Sequence, residues 1–191
     1  MSKFLQKVLS VTHWSNSLFS FQIERPKDFK FKSGEFVMIG LPDSEKPILR
    51  AYSICSPSWD EKLEFYSIIV ENGPLTSKLK NIKINDEIIL MSKSTGTLIL
   101  DALKPAKRLF LFSTGTGFAP FSSIVRDPET YDKFDKIIVT HTCRFKNELD
   151  YSKKIINKCF KDELLKSFIK KKLIYYTTTT QDITEYNGRI T

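Results

Sequence analysis

This 191-residue chain has no long apolar run. No stretch approaches the ~20 residues that a helix needs to cross a bilayer. The N-terminal Met1-Ser2-Lys3-Phe4-Leu5-Gln6-Lys7 lacks the apolar core of a secretory leader. Cysteine is scarce. Cys55, Cys143 and Cys159 lie far apart, form no Cys-x-x-Cys pair and cannot all pair with one another. That usage fits reduced thiols in a cytoplasm. The two histidines, His13 and His141, have no cysteine cluster near them, so no zinc signature is present. Neither a Ser/His/Asp arrangement nor a carboxylate pair stands out, which is no objection to a chemistry that needs no general base.

What the chain does have is 41% hydrophobic and 27% charged residues, a globular composition long enough for one large or two small domains. Its formal net charge is +8. A basic surface speeds encounter with anionic partners, whether nucleic acid, acidic lipid or a small acidic protein, and it also simply keeps the surface wet. The basic residues show no interleaved aromatic platform of the kind single-stranded nucleic acid favours.

The first hundred residues read as all-β. Ser17 to Glu24 alternates partly, and Glu35 to Leu41, Leu49 to Ile54, Leu63 to Glu71 and Glu87 to Met91 are further short β-rich runs. Turn signals separate them at Arg25-Pro26, Ser33-Gly34, Pro42-Asp43, Ser56-Pro57, Asn72-Gly73-Pro74 and Asn85-Asp86. Such spacing predicts a closed barrel, interrupted by one short helix with Thr76 as its N-cap. From Arg108 the pattern changes. Leu109-Phe110-Leu111-Phe112 is a continuous apolar run, as in a parallel strand buried on both faces. Lys136 to His141 and Leu173 to Thr177 are two more candidate strands. Between them Ile156, Phe160, Leu164 and Phe168 recur at four-residue spacing, which predicts one apolar helical stripe with lysines on its other faces. Strand and helix in alternation predict a doubly wound α/β half. The expected units are residues 1–102 and 103–191, meeting near Asp101 to Ala106.

Two motifs carry chemistry. Arg50-Ala51-Tyr52-Ser53 puts a cation, a flat ring and a hydroxyl within a few residues. Arginine offers paired donors to a pyrophosphate, and tyrosine offers a face to stack on. Gly115-Thr116-Gly117-Phe118-Ala119-Pro120 follows an apolar strand and opens a helix, the context in which a glycine loop allows a nucleotide to approach the backbone. Proline stands where the usual dinucleotide fingerprint has Gly or Ala, and no acidic residue clearly ends the next strand. A third segment, Asn72-Gly73-Pro74-Leu75-Thr76-Ser77, leads into the short helix, where exposed N–H groups favour an anion. Together these motifs suggest two nucleotide cofactors held face to face.

With Phe31-Lys32-Ser33-Gly34-Glu35-Phe36 and Arg126-Asp127-Pro128-Glu129-Thr130-Tyr131 beside them, the motifs resemble those of the bacterial ferredoxin–NADP reductases, from Leu5 to Thr191. The resemblance implies an antiparallel FAD-binding β-barrel followed by an NADP-binding α/β domain. It implies exchange of electrons between NADPH and ferredoxin or flavodoxin through FAD. It places Arg50 at the pyrophosphate, Tyr52 against the isoalloxazine and Ser53 beside N5, with Ala51 also binding the cofactor. Tyr66, Ser67, Ile68 and Ile69 would pack the flavin, and Gly73, Pro74, Leu75 and Thr76 would meet its phosphates. Thr116 would lie between flavin and nicotinamide, with Gly115, Gly117, Arg144 and Arg189 on NADP(H). Ser53, Tyr52 and Thr116 would then flank the reacting atoms. No metal, membrane or nucleic acid is expected, and the complete enzyme would be a cytoplasmic monomer.

Relatives commonly show Thr-Arg where this chain has Thr180-Gln181, so one charge for a 2′-phosphate is absent. Two alternatives stand beside the first reading: another NAD(P)H-dependent flavin or oxygenase reductase component, and a catalytically incompetent FAD-binding fragment. The family normally continues for a further strand-and-helix portion. The expectation is therefore an incomplete α/β half, slow reduction by NADPH and association through the edge Leu173 to Thr178. The thiols of Cys55 and Cys143, and the ring of His141, are expected to be packed rather than reactive.

Overall fold

The computed structural model describes residues 2–42 and 45–190; Asp43 of the Pro42-Asp43 turn lies outside them. Strands β1 (Lys3–His13), β2 (Leu18–Glu24), β3 (Phe36–Gly40), β4 (Leu49–Ser53), β5 (Lys62–Ile68) and β6 (Glu87–Met91) pair antiparallel in the order β4-β3-β6-β1-β2-β5. The two end strands meet through an antiparallel bridge, Ile54 to Phe65. The amide of Cys55 also donates to the Glu64 carbonyl at 2.8 Å. That contact closes the six strands into a barrel and leaves few free edges.

Inside it, Phe19, Phe21 and Ile23 of β2 alternate inward and join Val8, Phe29, Ile39, Leu63 and Phe65 in one apolar cluster. Two of the outward residues of β2, Leu18 and Ser20, are also buried, which explains its imperfect alternation: Leu18 packs with the second half of the chain. Strand β1 escaped the sequence reading. Its register shifts between Val8 and Ser10, where it passes from pairing with β6 to pairing with β2. Such a bulge interrupts the period-two pattern.

The helix α1 (Thr76–Leu79) departs from expectation in one detail. Thr76 is its first helical residue, not its N-cap, and no side chain caps it. The Thr76 hydroxyl instead accepts from the Val70 amide at 3.2 Å, folding the turn back on β5.

The second half is a parallel sheet in the order β7-β8-β9, made of β7 (Arg108–Thr114), β8 (Lys136–Cys143) and β9 (Leu173–Thr179). Helices α2 (Phe118–Arg126), α3 (Pro128–Lys133), α4 (Asp150–Lys161) and α5 (Lys166–Lys172) connect the strands. Their core joins Leu109, Leu111, Ile124, Val139, Ile155 and Ile169, and it reaches across to Leu18, Cys55 and Tyr66 of the barrel.

Two expectations are corrected here. β7 is buried on one face only: Leu109 and Leu111 point to the helices, whereas Phe110 and Phe112 are 50% and 59% exposed. The single stripe through Ile156, Phe160, Leu164 and Phe168 is broken. Asp162 is extended (φ −67°, ψ 128°) and ends α4. Its carboxylate accepts from the Leu164 and Leu165 amides at 2.9 and 3.0 Å. The restart rotates the pattern, so Leu165 and Ile169 continue the buried face of Ile155, Ile156 and Cys159 while Leu164 is 78% exposed. A capping carboxylate has overridden a run of helical spacing.

Gly34 is where the fold demands glycine. Its φ is +99°, and a Cβ there would lie 1.8 Å from the Leu98 carbonyl oxygen. Gly115 also has positive φ (+49°) but nothing within 4 Å of an added Cβ. Gly34→Ala is expected to cost roughly 3 kcal/mol or more, through clash plus strain, against about 1 kcal/mol for Gly115→Ala. Urea unfolding of the two variants measures both; equal losses would refute the assignment.

Candidate functional site

A cavity of about 410 Å³ lies where the barrel meets the start of α2. Its walls are Arg50, Ala51, Tyr52 and Ser53 of β4, Tyr66, Ser67 and Ile68 of β5, Val70, the turn Gly73 to Thr76, and Thr116 and Ala119. Four separate sequence segments thus converge on one space.

The convergence follows from barrel closure. β4 and β5 are far apart in the sheet order and neighbours only across the seam. The Tyr52 hydroxyl reaches across that seam to Ser67 Oγ at 3.0 Å. Burial is the main reason the Tyr52 phenol is held above its ordinary pKa, with the Ser67 bond working against it. Tyr66 is buried and its ring stacks on Tyr151 of α4, with centroids 4.1 Å apart. Arg50 is exposed and donates to its neighbour's carbonyl, Leu49 O, at 2.9 Å.

The turn after β5 is tight. Asn72 has φ 59°, and a Cβ on Gly73 would lie 2.4 Å from Thr76 Oγ1. The chain therefore brings bare backbone to the cavity there. Among the described residues no carboxylate lines this cavity, and a guanidinium stands at it. That donor set suits a ligand with a flat ring and a phosphate.

A larger cleft, about 620 Å³, opens beside Ser15 to Ser17 and Phe145 to Glu148. Glu148, Asp150 and Asp182 line it against a single lysine, Lys146. Three carboxylates disfavour a phosphate, so the smaller cavity is the better nucleotide candidate.

Residues 5–98 match the family model of the oxidoreductase FAD-binding domain. The flavodoxin/ferredoxin–NADP reductase of Rhodobacter capsulatus is 54% identical over 187 residues, which span 97% of this chain and 69% of that protein. The ferredoxin–NADP reductase of Azotobacter vinelandii is 46% identical over 187 residues, spanning 98% and 72%. This chain belongs to the ferredoxin/flavodoxin–NADP reductase family. A crystal structure of a ferredoxin NADP+ reductase from Neisseria gonorrhoeae with bound FAD and NADP superposes with a TM-score of 0.87 at 27% identity. It covers 98% of this chain and 73% of that one.

In this reductase-family chain nearly all residues expected at the flavin gather in the 410 Å³ cavity. Ile69 does not line it: its side chain packs against the barrel core and its amide donates to Ser17 O at 2.7 Å. Val70 takes its place, and Ala119 is a further wall that the motif reading passed over. Strand alternation carried the signal for the first, because Ile68 and Val70 are the outward residues, 45% and 50% exposed.

Gly115 and Gly117 form a 3₁₀ turn around Thr116 and do not line the cavity. Arg144 and Arg189 also stand outside it, at the carboxyl ends of β8 and β9. The backbones there are joined: Gln181 N donates to Arg144 O at 2.9 Å, and Gly188 N donates to Thr179 O at 2.9 Å.

The glycine turn is held from behind by His141. The imidazole is fully buried. Nε2 is 2.8 Å from the Gly115 carbonyl, Nδ1 is 2.7 Å from Ser152 Oγ, and Phe118 stacks on the ring. A carbonyl only accepts, so Nε2 carries the proton towards Gly115, while Ser152 Oγ, beside Nδ1, also bonds the Leu149 carbonyl at 2.9 Å. Cys143 Sγ lies 3.3 Å from Nε2. Its thiol is pushed up to about 12, first by burial and then by Glu148. Burial pushes the Cys55 thiol to about 12 as well, helped by Glu64. Both groups are packed, as the sequence reading expected.

Burial also lowers His141 from 6.5 to about 4, against the opposing pull of the Gly115 bond and of Glu148. A folded pKa below the unfolded one means that the unfolded chain binds the proton first. Stability is therefore full above pH 6.5 and is lost as pH falls from 6.5 towards 4, by up to roughly 3 kcal/mol from this group. Denaturant titrations across that window should show one proton's worth of slope in the native chain and markedly less in His141→Gln. An unchanged slope would show that the ring is protonated in the fold.

Proposed function

We propose that this chain performs the electron exchange of its family, between NADPH and ferredoxin or flavodoxin, with FAD as its cofactor. The observation that supports the reading best is the single cavity built from Arg50–Ser53, Tyr66–Ile68, Gly73–Thr76 and Thr116. Those groups fit a flavin: a cation for the pyrophosphate, a tyrosine face for the ring, small hydroxyls at its reactive edge and bare backbone for the phosphates. Bound FAD supplies the interchange between hydride and single electrons. The protein's task is alignment and exclusion of water.

In this reading Arg50 holds the pyrophosphate by charge-assisted hydrogen bonds. Tyr52, fixed by Ser67, presents a ring whose tilt cannot drift. Ser53 and Thr116 are the two hydroxyl side chains facing each other across the place where nicotinamide meets flavin. Gly115 and Gly117 let the second nucleotide approach, and Arg144 and Arg189 stand at strand ends suited to its 2′-phosphate. We place the protein in a reducing cytoplasm, consistent with three buried thiols, and as a monomer.

The flavin assignment is tested by affinity. Tyr52→Ser removes the stacking face and Arg50→Ala the pyrophosphate partner, so each should weaken FAD binding tenfold or more, about 1.4 kcal/mol. Retention of full affinity in both would move the flavin elsewhere.

Nucleotide choice offers a second test. Gln181→Arg adds a charge beside Arg144, and it should widen the NADPH/NADH ratio of kcat/KM by roughly 1.5–3 kcal/mol, the worth of one charge-assisted contact. A gain for NADH instead would put the adenosine away from this strand end.

The basic surface offers a third. Lys154, Lys158, Lys161, Lys166, Lys170 and Lys171 are exposed along α4 and α5. Electron transfer to an acidic carrier should slow steeply with salt. A rate flat up to physiological ionic strength would remove charge from partner choice.

A further inference from the structure

A buried polar cluster joins the two halves of the chain at the far end of the helix that carries the glycine turn. Arg126, in the last turn of α2, forms an ion pair with Glu64 of β5, Nη2 to Oε2, at 3.2 Å. Their side chains are only 14% and 12% exposed. The same Nη2 donates to Ser122 Oγ at 2.9 Å and to the Cys55 carbonyl, and Nε donates to Ser122 O at 3.0 Å. Ser122 Oγ lies 3.3 Å from the Cys55 carbonyl. Ser123 Oγ donates to the Ser56 carbonyl at 2.6 Å. One turn of α2 is thus bonded to two consecutive carbonyls of the barrel. These carbonyls begin two residues after Ser53. Their segment is itself tied to β5, where the Glu64 amide donates to Ser56 Oγ at 2.6 Å.

At the other end of α2, Ala119 in its first turn and Thr116 in the 3₁₀ turn before it line the cavity together with Ser53. Nine residues of helix make a lever of about 13 Å, so a swing of about 10° at the bonded end moves the cavity end by about 2 Å. A displacement half as large is enough to slow a transfer between two held reactants by about a hundredfold. A buried ion pair contributes little net stability, because desolvation offsets the attraction, but it penalises every other orientation of its two partners.

We propose that Glu64 and Arg126 are positioning residues: the pair fixes the angle of α2 against the barrel and thereby the gap between Thr116 and Ser53. The proposal deepens the functional reading above and rests on it. It assigns the pair no contact with either nucleotide.

The experiment separates orientation from stability. In the double variant Glu64→Leu with Arg126→Met the pair is replaced by apolar groups of similar volume. Unfolding midpoint and FAD affinity should stay near those of the parent. In the flavin-free protein, amide exchange in 118–126 should rise tenfold or more, with the barrel strands unchanged. In the holoprotein, stopped-flow reduction by NADPH should slow by tenfold or more at an unchanged NADPH dissociation constant. The milder Arg126→Lys keeps the charge but not the fork of donors. It should lie between the two, and it carries the test if the double variant fails to fold.

Unchanged exchange in α2 of the flavin-free variant overturns the proposal whatever the activity. Loss of FAD affinity in parallel with rate would make the pair merely structural and overturn it as well. A parent chain that binds FAD but is not reduced by NADPH at all refutes the functional reading instead, and the exchange data still judge the pair.

Discussion

The structure depends on one short stretch of backbone, Ile54 to Ser56, where the barrel closes. Buried carbonyl and amide groups must find partners, and this segment has to satisfy two neighbours at once. Towards the barrel it completes the ladder with β5 through Ile54, Phe65 and Glu64. Towards the α/β half its carbonyls accept from Ser122, Ser123 and Arg126. Closing the barrel therefore also fixes where the second half can dock. The cavity lies on the same seam, because β4 and β5 become neighbours only through closure. Ligand site and inter-half junction are consequences of a single pairing.

That dual use explains the packing around it. Leu18, Cys55 and Tyr66 belong to the barrel by sequence but to the α/β core by contact. Tyr66 faces the cavity at its edge while its ring lies flat on Tyr151 of α4. Trp14 packs edge-on against the same Tyr151 and is itself covered by Lys154. The two halves share apolar surface as well as hydrogen bonds, so shifting one against the other would uncover aromatic area as well as strand polar groups.

Much of this was legible in the sequence because the decisive signals are local. Arg50 to Ser53 and Gly115 to Gly117 each announce themselves within a few residues. The turns at Asn72 and Asn85 are marked by the residue type that tolerates positive φ, which both adopt. The missed features are those set by distant partners. The register shift in β1 is dictated by its two different neighbours, β6 and β2. The exposure of Phe110 and Phe112 depends on which faces of β7 are covered, and an apolar run does not reveal that. Asp162 broke a persuasive helical stripe by accepting from the Leu164 and Leu165 amides, a local signal that the regular spacing of Phe160, Leu164 and Phe168 outweighed. The replacement of Ile69 by Val70 at the cavity needed only the strand's alternation. The role of Arg126 had no sequence signal, because its partner Glu64 lies sixty-two residues away.

The depth of the thiols has a chemical corollary. Cys55 is completely buried, two residues from Ser53, in a protein whose cofactor chemistry passes electrons one and two at a time. Peroxide attacks the thiolate, and a thiol with a pKa near 12 offers almost none at neutral pH. The first rung of cysteine oxidation, a sulfenic acid, is thereby disfavoured. The same holds for Cys143 beside the glycine turn. The fold keeps these two thiols buried and protonated, the state that oxidants attack least.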